Sequence, residues 1–461
     1  MSVNVYKRDR QVIIDPLVTC MPLGAMWAIL GINHGMPLVQ GSQGCSTFAR
    51  YHLARHFREP IEIAVSSFHE STAVFGGKKN LSMSLKTLIQ RQDPELIGVI
   101  TTCSSEIIGD DVYGFVDSNK QELKELGYDN TEIIPINTPS FAGSHFAGYD
   151  VAIDSLIKNL AVPNDNIEND NNNNINIIPG LLNPGDVNEI KHMLDSMYVP
   201  YTMLTDISET FNSPLNPKKQ ETPYFGKGGT TVNEMKNVSA SSGTVSIAKY
   251  AKTGAETLEQ THKVPAVTDN LPPIGIKGTD EFLKTVNKLS GYEIIDTLMT
   301  ERGLTLDLMA DVSARYLAGR KAVIFGDPTL VTGLASLIME LGMEVVMVTT
   351  GSEEKTFPTD IESISKNQSI DVFQEGDLKV VEDYVKDKDN GVELILGSSE
   401  ARFINYDTGI PLVRFGFPVY DRVGYHSQPI VGYRGAKRVI EMITNEVLSK
   451  YYEEKHWKLQ Q

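Results

Sequence analysis

Short apolar runs alternate along this chain with longer stretches of helical periodicity. PELIGVITTC predicts a strand, after which Asp110-Asp111 open a helix that begins at Val112. INIIPG ends a strand at Gly180, GDVNEIKHMLDSM places Val187, Ile190, Leu194 and Met197 on one helical face, and YVPYTML returns as a strand. The pattern recurs as KAVIFG, LVTGLASLIMEL and MEVVMVTTG, and ELILG and PLVRFGF read as further buried strands. Strand–helix–strand units with apolar strands imply parallel sheets covered by helices on both faces. The expected fold is therefore α/β, with three Rossmann-like domains spanning residues 1–170, 171–300 and 301–461. The clearest break is AVPNDNIENDNNNNIN, residues 161–176, which is polar and Asn-rich and reads as a loop or linker.

Composition narrows the class. The chain has 461 residues, 22% charged and 41% hydrophobic, as expected for a water-soluble globular protein of several domains. No apolar run approaches the ~18 residues of a membrane span, and the N-terminal residues contain no apolar core of a secretory signal. With few thiols, this points to the cytoplasm. A formal net charge of -17 argues against nucleic acid and anionic membranes as partners. Common catalytic motifs are missing. There is no GxxxxGK[ST], and Phe225-Gly-Lys-Gly-Gly-Thr-Thr has the wrong order. There is no GxGxxG after a strand, Gly326-Asp327-Pro328 holding the corresponding turn. His69-Glu70 begins an HExxH pattern that Ala73 ends, and no GxSxG elbow occurs.

What the chain does hold is Cys20, Cys45 and Cys103, its only cysteines, all in its first quarter and each in a segment rich in Gly, Pro, Ser or Thr. An odd number cannot pair completely within one chain, and the spacings do not match a zinc site. Three thiolates converging from separate turns are what one side of an iron–sulfur cluster needs. The plain alternative is three buried, inert thiols. In open parallel sheets, ligands gather beyond the carboxyl ends of the strands. Cys103 directly follows GVITT, and Cys45 follows MPLVQGSQG, where Gly41 and Gly44 would let the backbone approach a bulky inorganic group.

Six motifs, TCMPLGAM, GSQGC, SSFHESTAVFGG, TTCSSEIIGDD, TPSFAGSH and RFGFPVYDR, occur in an order that resembles the beta subunits of nitrogenase component I, from about residue 10 to about residue 450. The resemblance implies that Cys20, Cys45 and Cys103 bind the P-cluster, an 8Fe-7S group shared with an alpha subunit. It implies that Ser140 of the TPSF motif can ligate the oxidised cluster; the alternative is that Ser140 caps a helix starting near Gly143. Phe75 of the VFGG motif would belong to the docking face for the ATP-hydrolysing iron protein, the alternative being core packing. Phe48 departs from relatives that have Tyr three residues after the second ligand Cys, so no hydroxyl role carries over there.

Asp307 and Asp311 stand at i, i+4 in LTLDLMADVSARYL, so like charges share one helix face. By the resemblance, this pair meets Arg58 (through its carbonyl) and Glu59 of a second beta chain around a divalent cation, with oxygen ligands suiting Ca²⁺ or Fe²⁺. The alternative is two solvated acids. The whole would be an α2β2 heterotetramer that relays electrons from the iron protein to the FeMo-cofactor of the alpha subunit, where dinitrogen is reduced to ammonia. GSQGC and RFGFP resemble the molybdenum branch more than the vanadium or iron-only ones. A cofactor-assembly scaffold or a dark-operative protochlorophyllide reductase would keep the fold with a simpler cluster. A metal-free α/β binding protein would use the thiols only as core.

Overall fold

The computed structural model describes residues 3–14, 17–163, 173–214, 225, 227–365 and 368–460. Most of the Asn-rich segment expected as a linker lies outside the described residues, and its last two, Ile175 and Asn176, already belong to a strand.

Three sheets form, and every strand pair in them is parallel. The first has the order Ala64–Val65, Gly35–Gln40, Leu96–Thr101, Glu132–Ile136. The second runs Tyr201–Met203, Ile175–Ile178, Gly243–Ser246, Ala266–Val267. The third runs Asn4–Lys7, Asp371–Gln374, Glu344–Thr349, Lys321–Phe325, Leu394–Gly397, Leu412–Arg414. The expected α/β class with parallel sheets flanked by helices is therefore observed. Strands Gly35–Gln40 and Leu96–Thr101 are buried at every position, because helices cover both faces of their sheet. Their alternating side chains serve different cores. Leu96 and Ile100 join the large central core, whereas Ile97 and Val99 join a separate one with Leu81, Leu85 and Val116.

The helix expected from Val187, Ile190, Leu194 and Met197 spans Pro184–Ser196; all four residues are buried, Met197 as its C-cap. The helix expected at Val112 begins there, capped by Asp111, whose side chain accepts from Gly114 N–H at 3.0 Å. Periodicity gives no hint of the place of Asn4–Lys7. This strand joins the edge of the third sheet and pairs with residues 371–374. Arg10 then grips Asp377 with both terminal nitrogens, at 2.8 and 2.9 Å. The start of the chain and its last third thus share one sheet.

Two glycines set the packing that matters most for the cysteines. Helix Met21–Leu30 crosses helix His145–Leu160 with backbone against backbone. A Cβ on Gly24 would overlap the carbonyl of His145, and one on Gly148 the carbonyl of Met21. Where the sheets meet, a cavity of about 70 Å³ is lined by Trp27, His56, His145, Tyr149, Asp186 and Tyr425, among others.

Candidate metal-cluster site

Each cysteine stands at the start of a helix that follows an extended segment. Cys20 is the N-cap of Met21–Leu30, Cys45 lies in the first turn of Gln43–Phe57, and Cys103 is the first residue of Cys103–Ile107. All three thiols are free and half-buried. The structure brings them together: burial pushes the Cys20 thiol up, and the charges of Cys45 and Cys103 push it further in the same direction. The helices Met21–Leu30 and Gln43–Phe57, whose N-caps make no side-chain cap bond, supply partial positive charge there. A set of soft sulfur donors open on one side fits part of an iron–sulfur cluster and suits neither Ca²⁺ nor Mg²⁺.

The approach of these segments has local causes. Thr102 Oγ1 donates to the Gln40 carbonyl at 3.0 Å, tying the Cys103 turn to the strand before Cys45. Gly41 is needed here because a Cβ would overlap the Thr102 side chain. Its missing side chain therefore serves packing between two protein segments, which differs from the expected approach to an inorganic group. Gly44 faces open space, with only Ser42 Oγ near, so it keeps the expected freedom. Cys20 pairs with Ser144 in an isolated antiparallel bridge, and His145 N–H donates to the Thr19 carbonyl at 3.0 Å. Thr19 N–H in turn donates to His145 Nδ1 at 3.2 Å. Burial pushes His145 down to about 3, which keeps the ring a neutral acceptor.

Ser140 lies half-buried in the turn that Ala142 N–H closes on Pro139, a few residues before Ser144. The helix starts at His145 with Ser144 at the N-cap position and no side-chain cap bond, so Ser140 stands outside the cap position. Phe75 ends the short helix Glu70–Phe75 and is 86% exposed, which removes the core-packing alternative. Its base is rigid: Gly77 N–H donates to both carboxylate oxygens of Asp110 at 3.0 Å, and a Cβ at Gly77 would meet Gln40, Asp110 and Phe68. The same Asp110 closes the loop after the Cys103 helix.

Apolar side chains near Cys45, Cys103 and Ser140 face outward. Phe48 follows Cys45 and is 42% exposed, Ile107 ends the Cys103 helix, and Phe141 follows Ser140, with Val74 and Tyr113 also exposed. Exposed apolar residues grouped around one site mark a surface that another chain covers.

Asp307 and Asp311 are exposed on helix Asp296–Val312, whose outward side also carries Met299, Leu304 and Leu306. Arg58 and Glu59 lie elsewhere, at the left-handed end of helix Gln43–Phe57. Arg58 Nη2 donates to the Tyr420 carbonyl at 3.0 Å, and Glu59 lines a cleft with His34 and Phe225. Within the described residues the chain does not bring these two pairs together. His145, Thr102, Asp110 and the Gly24–Gly148 crossing escape sequence reasoning. Each falls inside a quoted motif except Gly148, but its role depends on a distant partner.

The family model "Nitrogenase component 1 type Oxidoreductase" matches residues 20–448. A curated nitrogenase molybdenum-iron protein beta chain of Methanococcus maripaludis is 49% identical over all of both chains. The chain of the same name from Methanothermobacter marburgensis is 47% identical, again over the full length of both. Among solved structures, "Nitrogenase Cp1 at pH 6.5" superposes with a TM-score of 0.90 at 36% identity, covering 97% of this chain and 96% of that one.

Proposed function

The chain belongs to the nitrogenase component 1 type oxidoreductase family, and we propose that it works as the beta subunit of the molybdenum–iron component. It acts only in complex, as part of an oxidoreductase that reduces dinitrogen to ammonia. The observation that carries this reading is the convergence of three cysteine-bearing helix starts on one open, half-buried place.

In this reading Cys20, Cys45 and Cys103 hold half of a P-cluster (8Fe-7S), and the alpha subunit holds the other half. The bound cluster supplies reversible electron transfer at a potential tuned by burial and by N–H groups around its sulfurs. This chain's residues do the rest. The helix starts at Cys20 and Ser42 put partial positive charge beside the sulfurs. The Ser140 hydroxyl is an additional donor, and its proton must leave before its oxygen can serve as a ligand, so electron loss and proton loss would be linked there. The Thr19–His145 bond and the glycine crossing hold Cys20 in place.

The exposed apolar residues beside the cysteines support a contact with the alpha subunit, and Phe75 on its rigid base supports docking of the ATP-hydrolysing iron protein. Electrons then move from that protein towards the FeMo-cofactor in the alpha subunit. The outward Met299, Leu304 and Leu306 support a second beta chain against helix Asp296–Val312, giving α2β2. There Asp307 and Asp311 would meet the other copy's Arg58 carbonyl and Glu59 around Ca²⁺ or Fe²⁺. Three units with boundaries near residues 170 and 300 and a cytoplasmic location complete the proposal. Among the described residues no helix is long and apolar enough to cross a membrane.

Anaerobic metal analysis of the native complex tests it. About fifteen irons and one molybdenum per alpha–beta pair are expected, for an eight-iron relay and a seven-iron cofactor. About four irons without molybdenum would instead assign a simpler cluster and an assembly or reductase role.

A further inference from the structure

A second group of ligand-type side chains lies on helices that carry no cysteine. Glu189 and His192 stand at i, i+3 on helix Pro184–Ser196, and Glu301 faces them from helix Asp296–Val312. Their ligand atoms all lie within 4.8 Å of one another. His192 Nε2 is 2.9 Å from Glu301 Oε1.

The pairing of charges is incomplete. The Glu189 side chain is fully buried, and its Oε2 accepts from Arg434 Nε at 2.8 Å. Its Oε1 is buried and has no hydrogen-bond partner among the described residues, and the same holds for Glu301 Oε2. A buried carboxylate oxygen without a partner is costly and rare. Gly432 packs directly on this carboxylate, and a Cβ there would stand 2.8 Å from Oε1. Glu189 pairs with Arg434 and Glu301 with His192, and each carboxylate keeps one buried oxygen without a partner among the described residues.

We propose that Glu189, His192 and Glu301 form a binding site for one borderline divalent cation, zinc or ferrous iron. A Glu-x-x-His pair on one helix with a Glu from a facing helix is a ligand pattern that helix bundles use for carboxylate-bound metals. Mixed imidazole and carboxylate ligands suit these ions better than Ca²⁺ or Mg²⁺. Three protein ligands leave a further position for water. On binding, His192 would present its Nε2 lone pair to the metal, with the ring proton on Nδ1. Arg434 keeps Glu189 Oε2 occupied, which leaves Oε1 as its available ligand atom.

The test uses zinc alone on the native complex. Anomalous data collected on both sides of the zinc edge isolate zinc from any iron present. One peak within bonding distance of Glu189, His192 and Glu301 is expected, together with about one zinc retained per chain in solution. His192→Gln and Glu301→Gln should each weaken zinc binding, read by chelator competition, at least about tenfold. Absence of a peak at these atoms overturns the proposal, as does a peak seen only in crystals with no affinity in solution, or an affinity unchanged in both variants. If either variant fails to fold, the soaked native crystals decide.

Discussion

The first and third sheets both end in a strand, a turn and a helix start, and they complete that unit in opposite ways. In the third sheet, strand Lys321–Phe325 runs through Gly326 to Asp327, whose carboxylate accepts from Thr329 and Leu330 N–H at 2.6 and 3.0 Å. The free donors of the helix are satisfied by its own chain, and burial pushes the Asp327 carboxyl up to about 6. In the first region, Cys20 and Ser42 occupy the cap positions and neither side chain makes a cap bond. Cys103 sits behind a cap built by Thr102 and Ser105, so its thiol is left out of the capping. A closed helix start stabilises the fold. An open one keeps its N–H groups and partial charge for a ligand. The exposed Phe48, Ile107 and Phe141 fit the same contrast, since this end leaves apolar side chains open to solvent in the single chain.

Substitutions at the two ends should separate the two designs. The largest effect is expected from Cys45→Ala. Iron per alpha–beta pair should fall and dinitrogen reduction drop at least about a hundredfold, while the unfolding midpoint of the isolated chain barely moves. A midpoint that collapses instead would make the thiol a core residue. Gly148→Ala forces apart the helices that carry Cys20 and His145, so about 3 kcal/mol or more should be lost in denaturant unfolding, with iron lost alongside.

His145→Gln sharpens the comparison through pH. Burial holds His145 down to about 3, far below the ordinary histidine value of 6.5. Below pH 6.5 the unfolded chain takes up a proton that the folded chain refuses. The stability this ring contributes is therefore complete above pH 6.5 and drains away as pH falls towards 3. Glutamine offers Thr19 an acceptor that does not titrate, so acid destabilisation between pH 6.5 and 4 should become shallower by up to about 3 kcal/mol. Asp186 and Asp327, both pushed up to about 6 by burial, act with the opposite sign, and His56, held down to about 4, with the same sign as His145; all three act equally in both proteins. An unchanged acid limb in pH-dependent melting would remove His145 from the account.

Asp327→Ala opens the closed helix start and should cost about 1–2 kcal/mol, with metal content unchanged. Iron loss in this variant would break the distinction between the two ends. Phe75→Ala should change stability by less than about 0.5 kcal/mol, since the ring is exposed. Its effect should surface only as a higher concentration of iron protein needed for half-maximal activity.

The elements were legible because their signal is local. Val187, Ile190, Leu194 and Met197 announce a helix within a dozen residues, and the apolar LIGVIT announces a buried strand. The cysteines and their motifs were legible because thiols with this donor chemistry are few and sit in turns. Gly41 shows the limit. As a residue it signals close approach, but only the folded chain reveals that Thr102 is the neighbour. Ser140 and Ser144 show it again, since either could begin the helix by type and the backbone selects Ser144.

By itself, then, the sequence determined the alternation of strands and helices, the position of Cys45 and Cys103 after strands and the ordered motifs of the family. These depend on spacing within a few residues and on side-chain chemistry. Only the tertiary structure decided that Asn4–Lys7 closes the edge of a sheet built more than three hundred residues later, that Gly24 and Gly148 let two helices touch, and that Glu189, His192 and Glu301 meet. Such contacts join segments far apart in the chain. They are selected by close packing and by the need to pair buried polar groups, and neither leaves a periodic trace in either partner alone.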